Sequence, residues 1–140
     1  MAMAGNAGIQ SSAIIVQALA SDNVWSSSIL RRLGREVVVA TINGVALALV
    51  LGAIVVAVFA MDLFPWTEEA QPLRLAFTAS LSLFVVILLA AAIGTMIPLL
   101  LDRCGIDPAL ATGPFITTSN DINGLLVFFL LASTLYLPYV

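Results

Sequence analysis

Residues 75–101 read LAFTASLSLFVVILLAAAIGTMIPLLL and contain no charged side chain. This run exceeds the roughly 20 apolar residues that an α-helix needs to cross about 30 Å of hydrocarbon. Residues 37–61 also carry no charge, and residues 113–138 carry a single acid in a run of similar length. We therefore predict a transmembrane helix over each of these three ranges.

The N-terminal segment, residues 3–20, is uncharged but more polar, because it contains Asn6, Gln10 and Gln17. Amides inside a bilayer need hydrogen-bonding partners, so this segment is a weaker span that has to pack against other helices. No basic residue precedes it, which argues against a cleavable signal peptide. Counting it as the first of four spans, we predict an all-α polytopic membrane helical bundle that forms a single transmembrane domain over residues 1–140.

The composition supports a membrane protein and excludes several other classes. The chain is 61% hydrophobic and 9% charged, whereas soluble domains are about half apolar and about a quarter charged. Five Lys and Arg residues against eight Asp and Glu residues leave no basic surface for nucleic acid. The absence of His and the presence of a single Cys exclude Ser-His catalysis, His or Cys zinc sites and an internal disulfide. We expect no enzymatic activity.

The distribution of charge between the spans predicts their orientation. The connection over residues 21–36 carries Arg31, Arg32 and Arg35, whereas the connection over residues 62–74 is mainly acidic. The positive-inside rule places the first connection in the cytoplasm and the second outside. With four spans, we expect the C-terminus on the outer side of the membrane.

Asp121 is the only ionisable residue in the interior of a predicted span. An acid at this depth is costly and is by default a candidate for handling an ion or a proton. On a helix it shares one face with Gly113, Thr117 and Gly124, and oxygen ligands of this kind suit hard cations. The alternative is a buried acid, protonated or bonded to a hydroxyl, that only fixes helix packing.

The first predicted span has a related pattern. Its amides recur at helical spacing, namely Asn6, Gln10 and Gln17. Small residues form a strip beside the amides, namely Gly5, Gly8 and Ser12. We expect this polar face and that of the last span to share an interior, where amides and backbone carbonyls come near a hydrated ion. Interhelical hydrogen bonding with small-residue packing is the alternative.

Two further acids lie near the predicted ends of spans. Glu36 immediately precedes the second span, where it is either a solvated loop acid or part of an anionic mouth that gathers cations. Asp107 follows Gly105 and precedes Pro108, a pattern typical of a turn followed by a helix start.

Several motifs, in order along nearly the whole chain, resemble the MgtE family of magnesium transporters. Residues 5–11, GNAGIQS, resemble the family's glycine-asparagine-alanine-glycine motif. Residues 107–110, DPAL, and residues 113–118, GPFITT, followed by Asp121, resemble its last loop and last helix. Matches to its third and fourth helices are Arg35-Glu36, Asn43-Gly44, and Gly94 with Pro98.

The resemblance implies a homodimeric magnesium transporter of the bacterial inner membrane, with five helices per subunit. The pore would lie at the dimer axis and would be lined by the second and fifth helices. We expect this chain to represent part of such a domain, without the first helix and without the cytosolic sensor domains. Its partners would be Mg²⁺, which is both bound and transported, a second copy and the lipid bilayer.

The resemblance also implies roles for individual residues. Asp121 would be the pore carboxylate that binds Mg²⁺, Asp107 would lie at a cytosolic-side metal site, and Glu36 would lie near the inner mouth. The remaining pore-lining residues would be Gly5, Asn6, Gly8, Thr117 and Thr118. Two copies of Asp121 across a two-fold axis would match the charge of one divalent cation, held through its water shell.

Two other functions remain open from the residues alone. A proton- or sodium-coupled carrier could use Asp121 as its proton site, which predicts transport that depends on pH. An inactive packing or assembly fragment of a transporter is the other alternative. An enzyme is the least expected class, since no nucleophile is paired with a base.

Overall fold

The computed structural model describes residues 2–20, 28–63, 70–111 and 113–139. Its four α-helices are α1 (Ala2–Leu19), α2 (Ser28–Ala60), α3 (Pro72–Arg103) and α4 (Pro114–Leu135). Two short 3-10 helices, Pro108–Ala111 and Leu137–Tyr139, follow α3 and α4. No strand occurs in these ranges, so the predicted all-α class is confirmed.

Helix α2 begins at Ser28, so the prediction that a connection extends from residue 21 to Glu36 is wrong in its second half. Hydropathy locates only the part of a helix that is apolar enough for lipid. The preceding turns contain Leu30, Arg31 and Arg35, residue types with high helix propensity, and the helix continues through them. Arg31 and Arg35 therefore lie on α2 itself rather than in the connection that precedes it.

Within the described ranges, three helices are long and apolar enough to cross a membrane, namely α3, α4 and the part of α2 that covers residues 34–60. The predicted first span is helical as α1, but it is not among these three. Its amides lower the hydropathy of a helix that has only 18 residues. The four predicted spans thus correspond to four helices, three of which meet the criteria of length and composition.

Helix α3 is the centre of the bundle and packs against α2, α1 and α4. Its contact with α2 is antiparallel, because Gly44 lies against Phe84 while Gly52, two turns later, lies against Ser80. The Ser80 hydroxyl donates a hydrogen bond to the carbonyl oxygen of Ala48 at 2.8 Å. Small residues on α2 therefore allow α3 to approach closely, as in other membrane helix pairs.

The exposed side of α2 is mostly apolar, although it includes Asn43. Its exposed large side chains include Val38, Val45, Leu49, Val50 and Ile54. In water such a continuous apolar surface would be unfavourable, whereas in a bilayer it contacts hydrocarbon at no cost. The exposed side of α2 is therefore suited to lipid.

Candidate functional site

Helix α1 presents two different faces. Gly5, Gly8 and Ser12 are buried, and they pack toward the interior that α1 shares with α3 and α4. The amide side chains lie on exposed positions, namely Asn6, Gln10 and Gln17. The small residues allow close helix contact, and this contact turns the amides outward. The expectation that the amides lie in an interior shared with α4 is therefore wrong for a single subunit.

Contact between α1 and α4 is made by the small residues. A Cβ atom on Gly5 would lie 3.7 Å from Cγ2 of Thr117, which is ordinary van der Waals contact. The Thr117 hydroxyl donates a hydrogen bond to the carbonyl oxygen of Gly113 at 3.1 Å. Thr118, the next residue, is exposed on α4. The predicted pore residues of the two helices thus lie close together, with Asn6 exposed beside the Gly5–Thr117 contact.

Asp121 lies one turn after Thr117 on the same face of α4 and is half-buried. In the part of the chain that the structure describes, its carboxylate accepts no hydrogen bond and forms no ion pair. The alternative in which Asp121 is bonded to a neighbouring hydroxyl is therefore not seen in this subunit. An unpaired carboxylate in an apolar helix needs a cation, a proton or water.

Glu36 lies within α2 and contacts α1. Its Oε2 atom accepts a hydrogen bond from the Ser11 hydroxyl at 3.2 Å, and Ser11 is only 3% exposed. Glu36 itself is half-buried. The interpretation of Glu36 as a solvated loop acid is therefore wrong, because the residue is helical and linked to the helix that carries the amides.

Asp107 is exposed at the start of the 3-10 helix Pro108–Ala111. Its Oδ1 atom accepts a hydrogen bond from the backbone N–H of Ala109 at 2.9 Å, an arrangement in which an Asp side chain initiates a turn. The predicted turn followed by a helix start is confirmed.

Within one subunit these acids do not form a metal centre. Among residues 2–20, 28–63, 70–111 and 113–139, no group of three or more His, Cys, Asp or Glu side chains is close enough to hold a metal ion. Asp121, Asp107 and Glu36 are therefore not brought into one cluster. Mg²⁺ is commonly bound through only one or two carboxylates while it keeps several waters, so a single acid per subunit provides half of such a donor set.

Sequence reasoning missed two side chains that shape this region. Ser11 holds Glu36, and Asn120, which is 2% exposed, lies against Gly8. An amide directly before the only acid of a span was a visible signal for Asn120. No local pattern distinguishes Ser11 from the neighbouring Ser12, because the Glu36 contact joins residues 25 positions apart.

Comparisons with known proteins match the same chain to one family. The family model described as "Divalent cation transporter", MgtE, matches residues 1–131. Three proteins named "Magnesium transporter MgtE" are similar in sequence to this chain. The protein of Bacillus subtilis is 33% identical to it, that of Enterococcus faecalis 37% and that of Thermus thermophilus 32%. These alignments cover 93–94% of this chain.

The chain spans only 27% of the Bacillus subtilis relative and 26% of the other two. No solved structure gives a significant match. The family model nevertheless covers most of the chain, and it agrees with the motifs around Gly5, Asp107 and Asp121 and with the all-α architecture. This chain belongs to the MgtE family of divalent cation transporters.

Proposed function

We propose that this chain forms the membrane part of a magnesium transporter, with a pore at the axis of a homodimer and a hydrated Mg²⁺ held by the two Asp121 carboxylates. One observation carries the proposal. The exposed amide strip of α1 (Asn6, Gln10 and Gln17) lies beside α4, whose half-buried Asp121 has no partner among the described residues, and both occur in a bundle that is apolar over most of its exposed surface.

The amide strip needs polar surroundings. Each amide offers two donors and one acceptor, and hydrocarbon can satisfy none of them. The cost of leaving such a group unpaired is several kcal/mol. Water in a pore, or the same strip on a second copy, would satisfy all three side chains, whereas lipid would satisfy none. The same requirement applies to Asp121.

Charge favours a pair of subunits. Two Asp121 carboxylates related by a two-fold axis carry the two negative charges that balance one Mg²⁺. A symmetric dimer, the commonest kind of oligomer, brings two copies of the same residue together at its axis. Mg²⁺ gives up its water reluctantly, so the carboxylates hold it through its hydration shell. Asn6 and the exposed Thr118 would then contact the outer waters, while Gly5 and Gly8 bring α1 close enough to present Asn6.

The ends of the helices support an orientation. Because α2 and α3 are antiparallel, Arg31 and Arg35 near the start of α2 lie at the same end of the bundle as Arg103 at the end of α3. The positive-inside rule places this end in the cytoplasm of a bacterial inner membrane, with the C-terminus outside. Glu36 and Asp107 then lie toward the cytoplasm, where they would attract or bind Mg²⁺.

The decisive experiment is Mg²⁺ uptake with Asp121→Asn. This substitution keeps the shape of the side chain and removes its charge, so we expect uptake to fall at least about tenfold, the factor that corresponds to about 1.4 kcal/mol. The matched control is Asp62→Asn, the same change at an exposed acid whose φ of 51° also suits Asn. The assay is uptake by liposomes that contain the chain, or growth of a strain without its own magnesium uptake.

Equal uptake by the parent and by Asp121→Asn would show that Asp121 is not the pore ligand. Uptake of Na⁺ as fast as that of Mg²⁺, with a dependence on pH, would instead indicate the coupled carrier. Absence of uptake in the parent, together with a stable dimer, would identify the chain as an assembly module.

A further inference from the structure

Asn120 is a buried amide without a hydrogen-bonding partner. The side chain is 2% exposed, and within the described ranges neither Nδ2 nor Oδ1 has a partner. Native proteins leave few buried polar atoms unsatisfied, because each costs about 1–3 kcal/mol. The amide therefore calls for an explanation other than packing.

The amide lies where three helices meet. A Cβ atom on Gly8 of α1 would overlap Nδ2 of Asn120, and it would lie 3.1 Å from Cγ2 of Ile116 and 3.0 Å from the carbonyl oxygen of Ala90. A Cβ atom on Gly94 of α3 would in turn overlap the carbonyl oxygen of Gly8. The amide of α4 therefore occupies the notch left by the missing side chain of Gly8, with the backbone of α3 beside it.

The backbone around this notch is rich in acceptors. The carbonyl oxygen of Ala90 lies at its edge. Pro98, which is fully buried in α3, has no N–H, so the carbonyl of Gly94 four residues earlier lacks the usual intrahelical donor. Asn120 carries two N–H donors with no acceptor, and α3 supplies carbonyl oxygens that have capacity to accept.

This junction bears directly on the direction of Asp121. Consecutive residues on an α-helix point about 100° apart, because 3.6 residues make one turn. With Asn120 held in the notch at Gly8, Asp121 is directed to the half-exposed edge of α4. Rotation of α4 about its axis would move Asp121 toward lipid or into the bundle, and it would withdraw the amide from the notch.

We propose that Asn120 is a positioning residue for Asp121. Its buried amide, seated against Gly8 and next to the carbonyl oxygens of α3, fixes the rotation of α4 so that the carboxylate faces the ion pathway. This inference rests on the proposed function, because it presupposes that Asp121 faces such a pathway. Asn120 itself does not contact the ion.

The experiment measures the accessibility of position 121 directly. The parent protein carries Cys104→Ala, which removes the single native cysteine, and Asp121→Cys, and it is reconstituted in liposomes. A cationic, water-soluble thiol reagent labels the new cysteine if it faces water. We expect Asn120→Leu, which has a similar shape but no hydrogen-bond donor, to slow labelling about tenfold, the factor that corresponds to about 1.4 kcal/mol between two rotational settings.

Asn123→Leu is the matched control. Asn123 lies one turn along the same helix, is half-buried, and donates only to the carbonyl oxygen of Ser119 in its own helix at 2.8 Å. We expect this variant to be labelled at the parent rate. If Asn120→Leu does not fold, Asn120→Ser and Asn120→Ala take its place; the serine keeps a donor and should retain labelling, whereas the alanine should lose it.

The outcomes separate the two proposals. A parent that is not labelled would show that position 121 does not face water, which overturns the proposed pathway and this inference with it. A labelled parent with equal labelling of Asn120→Leu would overturn only the role of Asn120.

Discussion

The α2–α3 side and the α1–α4 side of the bundle use the same small-residue packing but treat polar groups differently. Between α2 and α3, the Ser80 hydroxyl is satisfied by the carbonyl of Ala48, and the exposed side of α2 is mostly apolar, although it includes Asn43. On the α1–α4 side, neither the buried Asn120 nor Asp121 has a partner within the described part of the chain, and the amides of α1 are exposed. On the α1–α4 side, Asp121 and the exposed amides therefore require something outside the subunit, whereas Asn120 is enclosed within it.

This difference indicates where function lies. The Ser80 hydroxyl shows how a helix pair that only has to be stable can satisfy a polar group locally. Polar groups that remain unsatisfied inside a membrane are retained at a cost, and such departures from local consistency are expected at functional sites. Substitutions on the two sides of the bundle should therefore differ in whether they affect stability or transport.

The largest effect is expected at the contact between α1 and α3. In Gly94→Ala the added Cβ would overlap the backbone carbonyl of Gly8, which cannot move aside as a flexible side chain can. We expect a destabilisation of about 3 kcal/mol, the upper end of the range for overpacked sites. The destabilisation is measured by heating the chain in detergent and monitoring the loss of its monodisperse peak.

Gly34→Ala is the control for this substitution, because nothing lies within 4 Å of a Cβ at that helical position. There we expect stabilisation by up to about 1 kcal/mol from helix propensity alone. Equal thermal stability of the two variants would contradict the close contact between α1 and α3.

An intermediate effect, on transport rather than on stability, is expected from the exposed amides. Gln10→Leu removes a polar group that the subunit does not use, so the fold should be unaffected, while Mg²⁺ uptake should fall about tenfold if that face borders the ion pathway. Ile14→Leu, a change at an exposed position one turn later, should leave uptake unchanged. Unchanged uptake in Gln10→Leu would assign the amide strip to helix association alone.

The smallest effect is expected on the α2–α3 side. Ser80→Ala removes the hydrogen bond to the carbonyl oxygen of Ala48 and should cost about 1 kcal/mol of stability without changing Mg²⁺ uptake. The same thermal assay applies. A loss of uptake as large as that of Asp121→Asn would show that the two sides of the bundle are not separate in function.

The sequence predicted what hydropathy and charge can encode. The apolar runs located all four helices, and the cost of an acid in lipid singled out Asp121. The start of α2 was misplaced because hydropathy marks the part suited to lipid, whereas the helix itself continues through Arg35 and Arg31 to Ser28.

Contacts between distant residues could not be predicted in the same way. Periodicity showed that Asn6 and Gln10 share a face of α1, but which face turns inward depends on how Gly8 fits against Gly94 and Asn120. The bond between Ser11 and Glu36 likewise depends on how two helices cross. Such features arise from the packing of the whole bundle, which no single segment specifies.

The length of α4 bears on the proposed ion pathway. Its 22 residues span about 33 Å at a rise of about 1.5 Å per residue, close to the thickness of the hydrocarbon layer. Asp121 lies about 5 Å from the middle of this helix by the same rise. A cation crossing a thin slab of low dielectric constant meets its highest electrostatic barrier at the midplane. The carboxylate thus stands near the place where a fixed negative charge lowers that barrier most.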